Sequence, residues 1–194
     1  MKITEEFLHN GLYTFVNFRN ISFEETKLVW QWRNHIDIRK WMYNQNIIEF
    51  EDHIQFIESL KNDISKNYCL VKRNNVCVGV TSLVHIKGLN AEWGYYIAPK
   101  FHEANLVVEF YFFAIEFIFS VLGMETIYGY ALVENKGANS MNDLFGFTSE
   151  LATKEIDGEK KRFLYRELSV DTWENKIRND KRIERLLLFT LNKK

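Results

Sequence analysis

The amino-acid sequence predicts an α+β domain with a mixed sheet and an added C-terminal helix, and three observations carry that expectation. Short runs rich in β-branched and aromatic residues alternate with segments of helical periodicity. Three of these runs, between Tyr68 and Ile97, follow one another across turn-sized gaps and so form a meander. Beyond the last strand, Ile183, Leu186, Leu187 and Leu191 fall at helical spacing and make an apolar stripe.

The elements follow in order. Leu12 to Phe18 reads as a first strand, and Ser22 followed by Glu25 reads as a capping box that opens a helix running to about Trp32. Glu51 to Leu60 places Ile54, Ile57 and Leu60 on one helical face, with Phe56 on another. Tyr68 to Val71 and Val76 to Val84 flank Arg73-Asn74-Asn75, a turn suited to asparagine because asparagine tolerates positive φ. Ala91 to Ile97 completes the meander. Phe101 to Leu122 reads as one aromatic-rich helix stopped by Gly123, and Thr126 to Val133 as a strand. A short helix then runs from Asn135 to about Phe145-Gly146-Phe147. Asp157-Gly158 is the hairpin turn between Leu151 to Ile156 and Arg162 to Val170, and Asp171-Thr172 opens the terminal helix. The domain expectation is therefore residues 1–170, with 171–194 as a helical extension.

Composition narrows the function. The 194 residues are 46% hydrophobic with one Pro and nine Gly, so the chain orders and buries a sizeable core. With 25 basic and 26 acidic residues the net charge is −1, which supplies no bulk attraction to nucleic acid or anionic lipid. An anionic small substrate therefore needs a local basic pocket. Cys69 and Cys77 are too few for a disulfide framework or a four-ligand zinc site and read as core thiols, with no metal expected. Met1 to Glu6 carries charge without a following apolar run. Leu106 to Leu122 is short for a membrane span and is interrupted by Glu109 and Glu116. The expectation is a cytoplasmic protein without membrane insertion.

Two motifs carry chemistry. Ala91-Glu92-Trp93-Gly94-Tyr95-Tyr96-Ile97-Ala98-Pro99 resembles the fourth strand of the acyl-CoA N-acyltransferase (GNAT) family. Asn135-Lys136-Gly137-Ala138 followed by Leu144-Phe145-Gly146-Phe147 is similar to that family's Asn-x-x-Ala helix and Gly-Phe ending. The likeness spans roughly residues 12 to 170 and implies a GNAT-like, mostly antiparallel central sheet flanked by helices, with acetyl-CoA as co-substrate. It assigns cofactor contact to Tyr95, Tyr96 and Ile97, to Ala104, Asn105 and Leu106 at the start of the long helix, and to Asn135. The family's pyrophosphate loop normally carries glycines, whereas Phe101-His102-Glu103-Ala104-Asn105-Leu106 has none, and Glu103 adds a negative charge there. Weak cofactor binding is the consequent expectation.

Within the family, Trp30-Gln31-Trp32-Arg33-Asn34-His35, Trp41-Met42-Tyr43 and His53-Ile54-Gln55-Phe56-Ile57-Glu58-Ser59-Leu60 resemble the N-acetyltransferases of the pseudaminic acid pathway. That resemblance implies acetyl transfer to the 4-amino group of a UDP-linked amino-dideoxy sugar for bacterial surface glycans such as glycosylated flagellin. It makes Arg33, Met42, Tyr43, His53, Phe56 and Tyr96 the substrate-binding set. Arg33 and His53 suit a diphosphate, and Tyr43 and Phe56 suit stacking on uracil or sugar. Arg33 also reads as a basic residue closing a helix, His53 as solvated, Met42 and Phe56 as core, and the tryptophans as packing. His35, His85 and His102 have no partner pattern and read as structural.

The implied chemistry is direct attack of a neutral amine on the thioester. Glu92 and Ser82 are the candidates for taking the amine proton, though Glu92 also reads as a solvent-facing strand residue. Asn142 stands where many family members carry a thiolate-protonating Tyr; it could orient the sulfur, Tyr130 could supply the proton, and Asn142 also reads as a plain exposed residue. Two other functions stay open. One is acetylation of a protein N-terminus or polyamine, and the other is a non-catalytic protein that kept the fold. A homodimer is compatible with all of these.

Overall fold

The computed structural model describes residues 7–9, 12–102, 106–156 and 158–191. They form two compact units, one from residues up to 87 together with 93–102, the other from Gly88–Glu92 together with the residues from 106 onward.

The first unit contains strands β1 (Phe7–His9), β2 (Tyr13–Asn17), β3 (Asn67–Arg73) and β4 (Val76–Lys87) and the last five residues of β5 (Asn90–Ile97), with helices α1 (Phe23–Asn34), α2 (Ile36–Arg39) and α3 (Phe50–Ser59). The strands lie in the order β1-β2-β3-β4-β5, and β1 to β4 pair antiparallel. Asn74 and Asn75 turn β3 into β4 with φ of 48° and 63°, which is the left-handed pair a tight hairpin needs. The α1 capping box is complete: Ser22 Oγ accepts from the Glu25 amide and Glu25 Oε2 accepts from the Ser22 amide. Val29 and Trp32 of α1, Ile38 of α2, and Ile57 with Leu60 at the end of α3 then bury against Val16, Leu70 and Val80.

The second unit carries the first three residues of β5, then β6 (Thr126–Leu132), β7 (Glu150–Ile156) and β8 (Glu159–Ser169), ordered β5-β6-β8-β7. β5 pairs in parallel with β6 through Asn90–Glu92 and Thr126–Tyr128, whereas β6, β8 and β7 pair antiparallel. Its helices are α4 (Leu106–Glu116), α5 (Lys136–Leu144), the single turn α6 (Val170–Thr172) and α7 (Lys181–Leu191). Glu116, the charge that interrupts the apolar stretch, is buried and accepts from Ser120 Oγ at 3.0 Å, Trp173 Nε1 at 3.1 Å and Arg178 Nη2 at 2.5 Å. Trp173 is fully buried among Phe112, Phe119 and Phe145 at centroid distances of 5.2, 6.4 and 6.4 Å. Trp173 and Ile177 are thereby part of this unit's core. Gly146 has φ of +73°, a conformation that favours glycine, and a Cβ there would stand 2.6 Å from Ile177 Cδ1, so any larger residue would also have to push the Ile177 side chain aside.

The structure differs from the sequence expectations in four places. A three-residue strand, β1, precedes the expected first strand, and α2 is an extra turn after α1. The helix expected over 101–122 is instead a 3-10 turn at Pro99–Phe101, then α4, then a π-helical turn at Phe117–Val121 closed by the Leu122 amide on the Phe117 carbonyl; Pro99 starts the separate turn because its φ is fixed. The terminal helix is interrupted. Ser169 caps α6, Trp173–Ile177 winds as a π-helical turn, and α7 begins afresh where Asp180 Oδ1 accepts the Arg182 amide. In α7, Ile183 is buried and Leu186 is exposed. The Ile156↔Glu159 pair brackets the expected β7–β8 hairpin turn, with Gly158 at φ +78°; Asp157 lies outside the described residues.

Trp173→Ala should lower the unfolding free energy by about 3–5 kcal/mol, because it empties an aromatic site and leaves Glu116 short of a donor. Urea unfolding followed by circular dichroism measures this. A loss under roughly 1 kcal/mol, the range of an ordinary surface substitution, would contradict the packing role.

Candidate active site

The Trp-Gln-Trp-Arg-Asn run at the end of α1 holds the segment that follows α2. Trp30 Nε1 and Asn34 Nδ2 both donate to the Ile48 carbonyl, at 2.7 and 2.8 Å, and Asn34 Oδ1 accepts the Ile48 amide at 2.8 Å. Arg33 Nη2 donates to the Asn44 carbonyl and Arg39 Nη1 to the Gln45 carbonyl, each at 2.7 Å. These bonds fix the loop that carries half-buried Met42, packed on the first unit's core, and exposed Tyr43.

The same Arg33 presents its other terminal nitrogen, Nη1, to a buried position without a hydrogen-bond partner, and His53 Nε2 is likewise buried and unpartnered. His53 is only 5% exposed, which corrects the reading of it as a solvated side chain: the α3 face that holds Ile57 and Leu60 also buries His53. Burial, reinforced by the Arg33 charge, pulls the His53 ring from its ordinary 6.5 down to about 4, so it is neutral at pH 7. Burial also pulls the Arg33 guanidinium down, opposed by Tyr96 and Tyr68 and reinforced by the charge of Arg39. The Tyr96 hydroxyl is pushed up, chiefly by burial and against the pull of Arg33. Phe56 joins the group, edge-on to Tyr68 at 5.1 Å and 6.4 Å from His53. Neither arginine is paired with a carboxylate among the described residues. Two cations, a neutral imidazole, phenol hydroxyls and apolar rings make a site for an anion that carries a flat or apolar group.

On β5 and β4, Ser82 Oγ donates to the Gly94 carbonyl at 3.3 Å, and a Cβ at Gly94 would stand 3.0 Å from that oxygen. Tyr95 stacks on Trp93 at 5.2 Å, and the buried Ile97 offers its carbonyl to His102 Nε2 at 2.8 Å. In the second unit Asn135 caps α5, its Oδ1 accepting the Ala138 amide, which is the physical reason for an Asn-x-x-Ala run there. Leu106 is buried at the start of α4, while Glu103, Ala104 and Asn105 lie outside the described residues. Asn142 is 7% exposed and its Oδ1 accepts from Tyr111 Oη at 3.2 Å, which corrects the reading of it as an exposed helix residue. Glu92 is 9% exposed and does not face solvent as a plain strand carboxylate would. Tyr130 is half-buried beneath the Lys154 ammonium. No group of His, Cys, Asp and Glu among the described residues is placed to hold a metal ion.

A family model described as "Acetyltransferase (GNAT) domain" matches residues 16–148. The chain belongs to the GNAT acetyltransferase family. Two relatives from Campylobacter jejuni strains are each named acetyltransferase PseH. One is 32% identical over 151 residues, covering 77% of this chain and 88% of the relative, and the other is 30% identical over 132 residues, covering 68% and 82%. The structure of C. jejuni N-acetyltransferase PseH in complex with acetyl coenzyme A matches with a TM-score of 0.63 at 26% identity, over 82% of this chain and 99% of that one. A spermidine N-acetyltransferase from Vibrio cholerae, in complex with CoA and spermine, matches with a TM-score of 0.75 at 18% identity, over 86% and 100%, a likeness of fold alone.

In this GNAT acetyltransferase His53 and Tyr96 of the sequence-derived substrate set lie near Arg33 in the first unit, Phe56 lies beside His53, and Met42 packs on the same core, while Tyr43 is an exposed residue of the loop that Arg33 holds. The structure adds Tyr68 and Arg39, which sequence reasoning passed over. Tyr68 lies on a β-rich run where an aromatic is ordinary, and Arg39 lies in a helical turn too short to show periodicity. Tyr111 was hidden in the same way, inside a helix already crowded with aromatics.

His53 sets a pH signature. A ring that is neutral when folded, with its pKa depressed from 6.5 to about 4, takes up protons more readily when unfolded. Its stabilising contribution is complete above 6.5 and is lost as pH falls through the window to about 4, a span worth on the order of 3 kcal/mol. Thermal unfolding of the parent protein between pH 7 and pH 4.5 should show a steeper fall than that of His53→Gln. Parallel curves would show that His53 is hydrated and titrates normally.

Proposed function

We propose that this acetyltransferase moves the acetyl group of acetyl-CoA to the 4-amino group of a nucleotide-linked sugar, a UDP-linked amino-dideoxy sugar of nonulosonic acid (pseudaminic acid) biosynthesis. The observation that carries the reading is half-buried Arg33, whose Nη1 is shut off from water without a hydrogen-bond partner beside neutral His53, with Arg39 near and no carboxylate partner among the described residues. An anion such as a nucleotide diphosphate completes such a site, whereas a polycation would add like charge to it. The family and the PseH relatives, one solved with acetyl coenzyme A, support the donor and the pathway. The spermidine enzyme shares the fold, and fold alone does not transfer an acceptor.

The reaction is a direct transfer. The amine nitrogen forms its bond to the thioester carbonyl carbon, the C–S bond breaks, and the amine proton leaves while the sulfur leaves as thiolate. Glu92, or water held with Ser82, takes the first proton. Tyr130 supplies one to the thiolate, and Asn142, held through Tyr111, orients the sulfur. The family likeness assigns Tyr95, Tyr96 and Ile97 to the pantetheine, Leu106 and Asn135 to the CoA, and Ala104 and Asn105 to its pyrophosphate. Tyr43 and Phe56 stack on the uracil or the sugar, and Met42 helps hold the nucleotide sugar. An enzyme using acetyl-CoA and a nucleotide sugar works in the cytoplasm, as a monomer or homodimer.

The test is acetyl transfer from acetyl-CoA in a mixture of the UDP-4-amino-4,6-dideoxy sugar and spermidine, read by mass spectrometry. One acetyl group should appear on the sugar; acetylation of spermidine alone would overturn the reading. In the same assay Arg33→Ala should raise the KM for the sugar by roughly 30-fold, equivalent to about 2 kcal/mol, and leave the KM for acetyl-CoA within a factor of about 2. Arg33→Lys should recover part of the loss, since it restores the charge without the fork.

A further inference from the structure

One face of the second unit's strands carries a group of side chains that the reaction above uses only in part. Glu92 pairs in register with Tyr128, Tyr128 with Glu167, and Tyr130 with Tyr165, so all five lie on one face. The Tyr165 ring is 5.2 Å from Tyr130 and 6.1 Å from Tyr128, and Tyr165 Oη donates to Glu167 Oε2 at 2.5 Å. Over the Tyr130 ring, 3.1 Å from its centroid, stands the ammonium of Lys154. We propose that this face is a binding site for a primary ammonium group, formed by Tyr128, Tyr130, Tyr165, Glu92 and Glu167, with Lys154 as an intramolecular occupant that an external amine replaces.

The position of Lys154 is the informative fact. β7 is the edge strand, and β8 lies between it and β6. A lysine on an edge strand ordinarily extends into water, where its charge is best hydrated. Lys154 instead reaches across β8 to a ring on the second strand over. Burial there works against its charge, and the Glu92 carboxylate works in favour of it. Burial outweighs the carboxylate, so the Lys154 ammonium is held below its ordinary lysine range, and it is the geometry, a ring face beneath the ammonium on a strand two removed from its own, that marks the position as one an ammonium can occupy. Aromatic faces flanked by carboxylates recognise ammonium groups in this way, through the ring quadrupole and full charges acting together. Because Lys154 gives up hydration to stand there, its return to solvent offsets part of the cost of its displacement. Glu92 is also one of the two candidates above to take the acceptor's proton, and on that assignment the external ligand is the protonated amine of the acceptor. That last step rests on the proposed function; the existence of the ammonium site does not.

The probe is n-butylammonium, which has the four carbons and the ammonium of a whole lysine side chain, and the readout is the tyrosine ring signals in NMR. The Lys154→Ala protein should bind it saturably and at least about tenfold tighter than the parent, with n-butanol at least about tenfold weaker than n-butylammonium. Lys154→Met, which fills the space without charge, provides a second folded background, and circular dichroism checks both. Equal binding by variant and parent, or equal binding of butanol and butylammonium, overturns the site. In turnover, Lys154→Ala should lower the KM for the amino sugar several-fold and leave that for acetyl-CoA unchanged. Butylammonium binding without that fall in KM overturns the acceptor as the ligand. If the sugar is not a substrate at all, the butylammonium titration still decides the site, so the two proposals fail separately.

Discussion

A half-buried arginine, with one terminal nitrogen shut off from water and no carboxylate to meet it among the described residues, is the constraint on which the first unit is organised. Burying a lone guanidinium costs free energy, and the protein offsets that cost with backbone carbonyls: Asn44 for Arg33, Gln45 for the neighbouring Arg39. The tryptophan and asparagine flanking Arg33 fasten the same loop at Ile48. One short run at the end of α1 thus shapes the loop bearing Met42 and Tyr43 and keeps a cation beside His53. His53 responds by giving up its own charge. The result is a site whose field is positive but whose histidine still has capacity to take a proton when an anion arrives.

The second unit solves a different problem, that of a carboxylate inside an apolar helix. Glu116 is satisfied by donors from Ser120 and from the C-terminal segment, so the segment beyond β8 is bound into the core through Trp173, Ile177 and Arg178. Gly146, which the family resemblance marks only as part of a Gly-Phe pair, gains a local reason here, because Ile177 occupies the space where a side chain would stand.

Much of the fold was legible in the sequence because its signals are local. The Ser22–Glu25 box, the Asn74-Asn75 turn and the Asn135 cap each follow from residue chemistry within four positions, and each is present in the structure. What escaped depends on distance in the chain. The π-helical turns at Phe117–Val121 and Trp173–Ile177 stand in the segments that share the Glu116–Trp173 bond, across 57 residues. The burial of His53 and Asn142 likewise depends on what packs over a helix face, which periodicity cannot specify for a lone polar residue. The tyrosine face of β6 and β8 needed strand register, since Tyr130 and Tyr165 are neighbours only through their pairing. Resemblance to a family supplied the site residues, and the structure supplied the electrostatic reason that Arg33 and His53 belong together.

The central claim, that a desolvated Arg33 and a neutral His53 await a diphosphate, is tested most directly by following the ring nitrogens of His53 in a 15N-histidine NMR titration. In the free protein the ring should stay neutral down to about pH 4, and saturating UDP should move its titration upward, because phosphate oxygens favour the imidazolium. A ring that titrates near its ordinary 6.5 in the free protein, or that ignores UDP, would contradict the account.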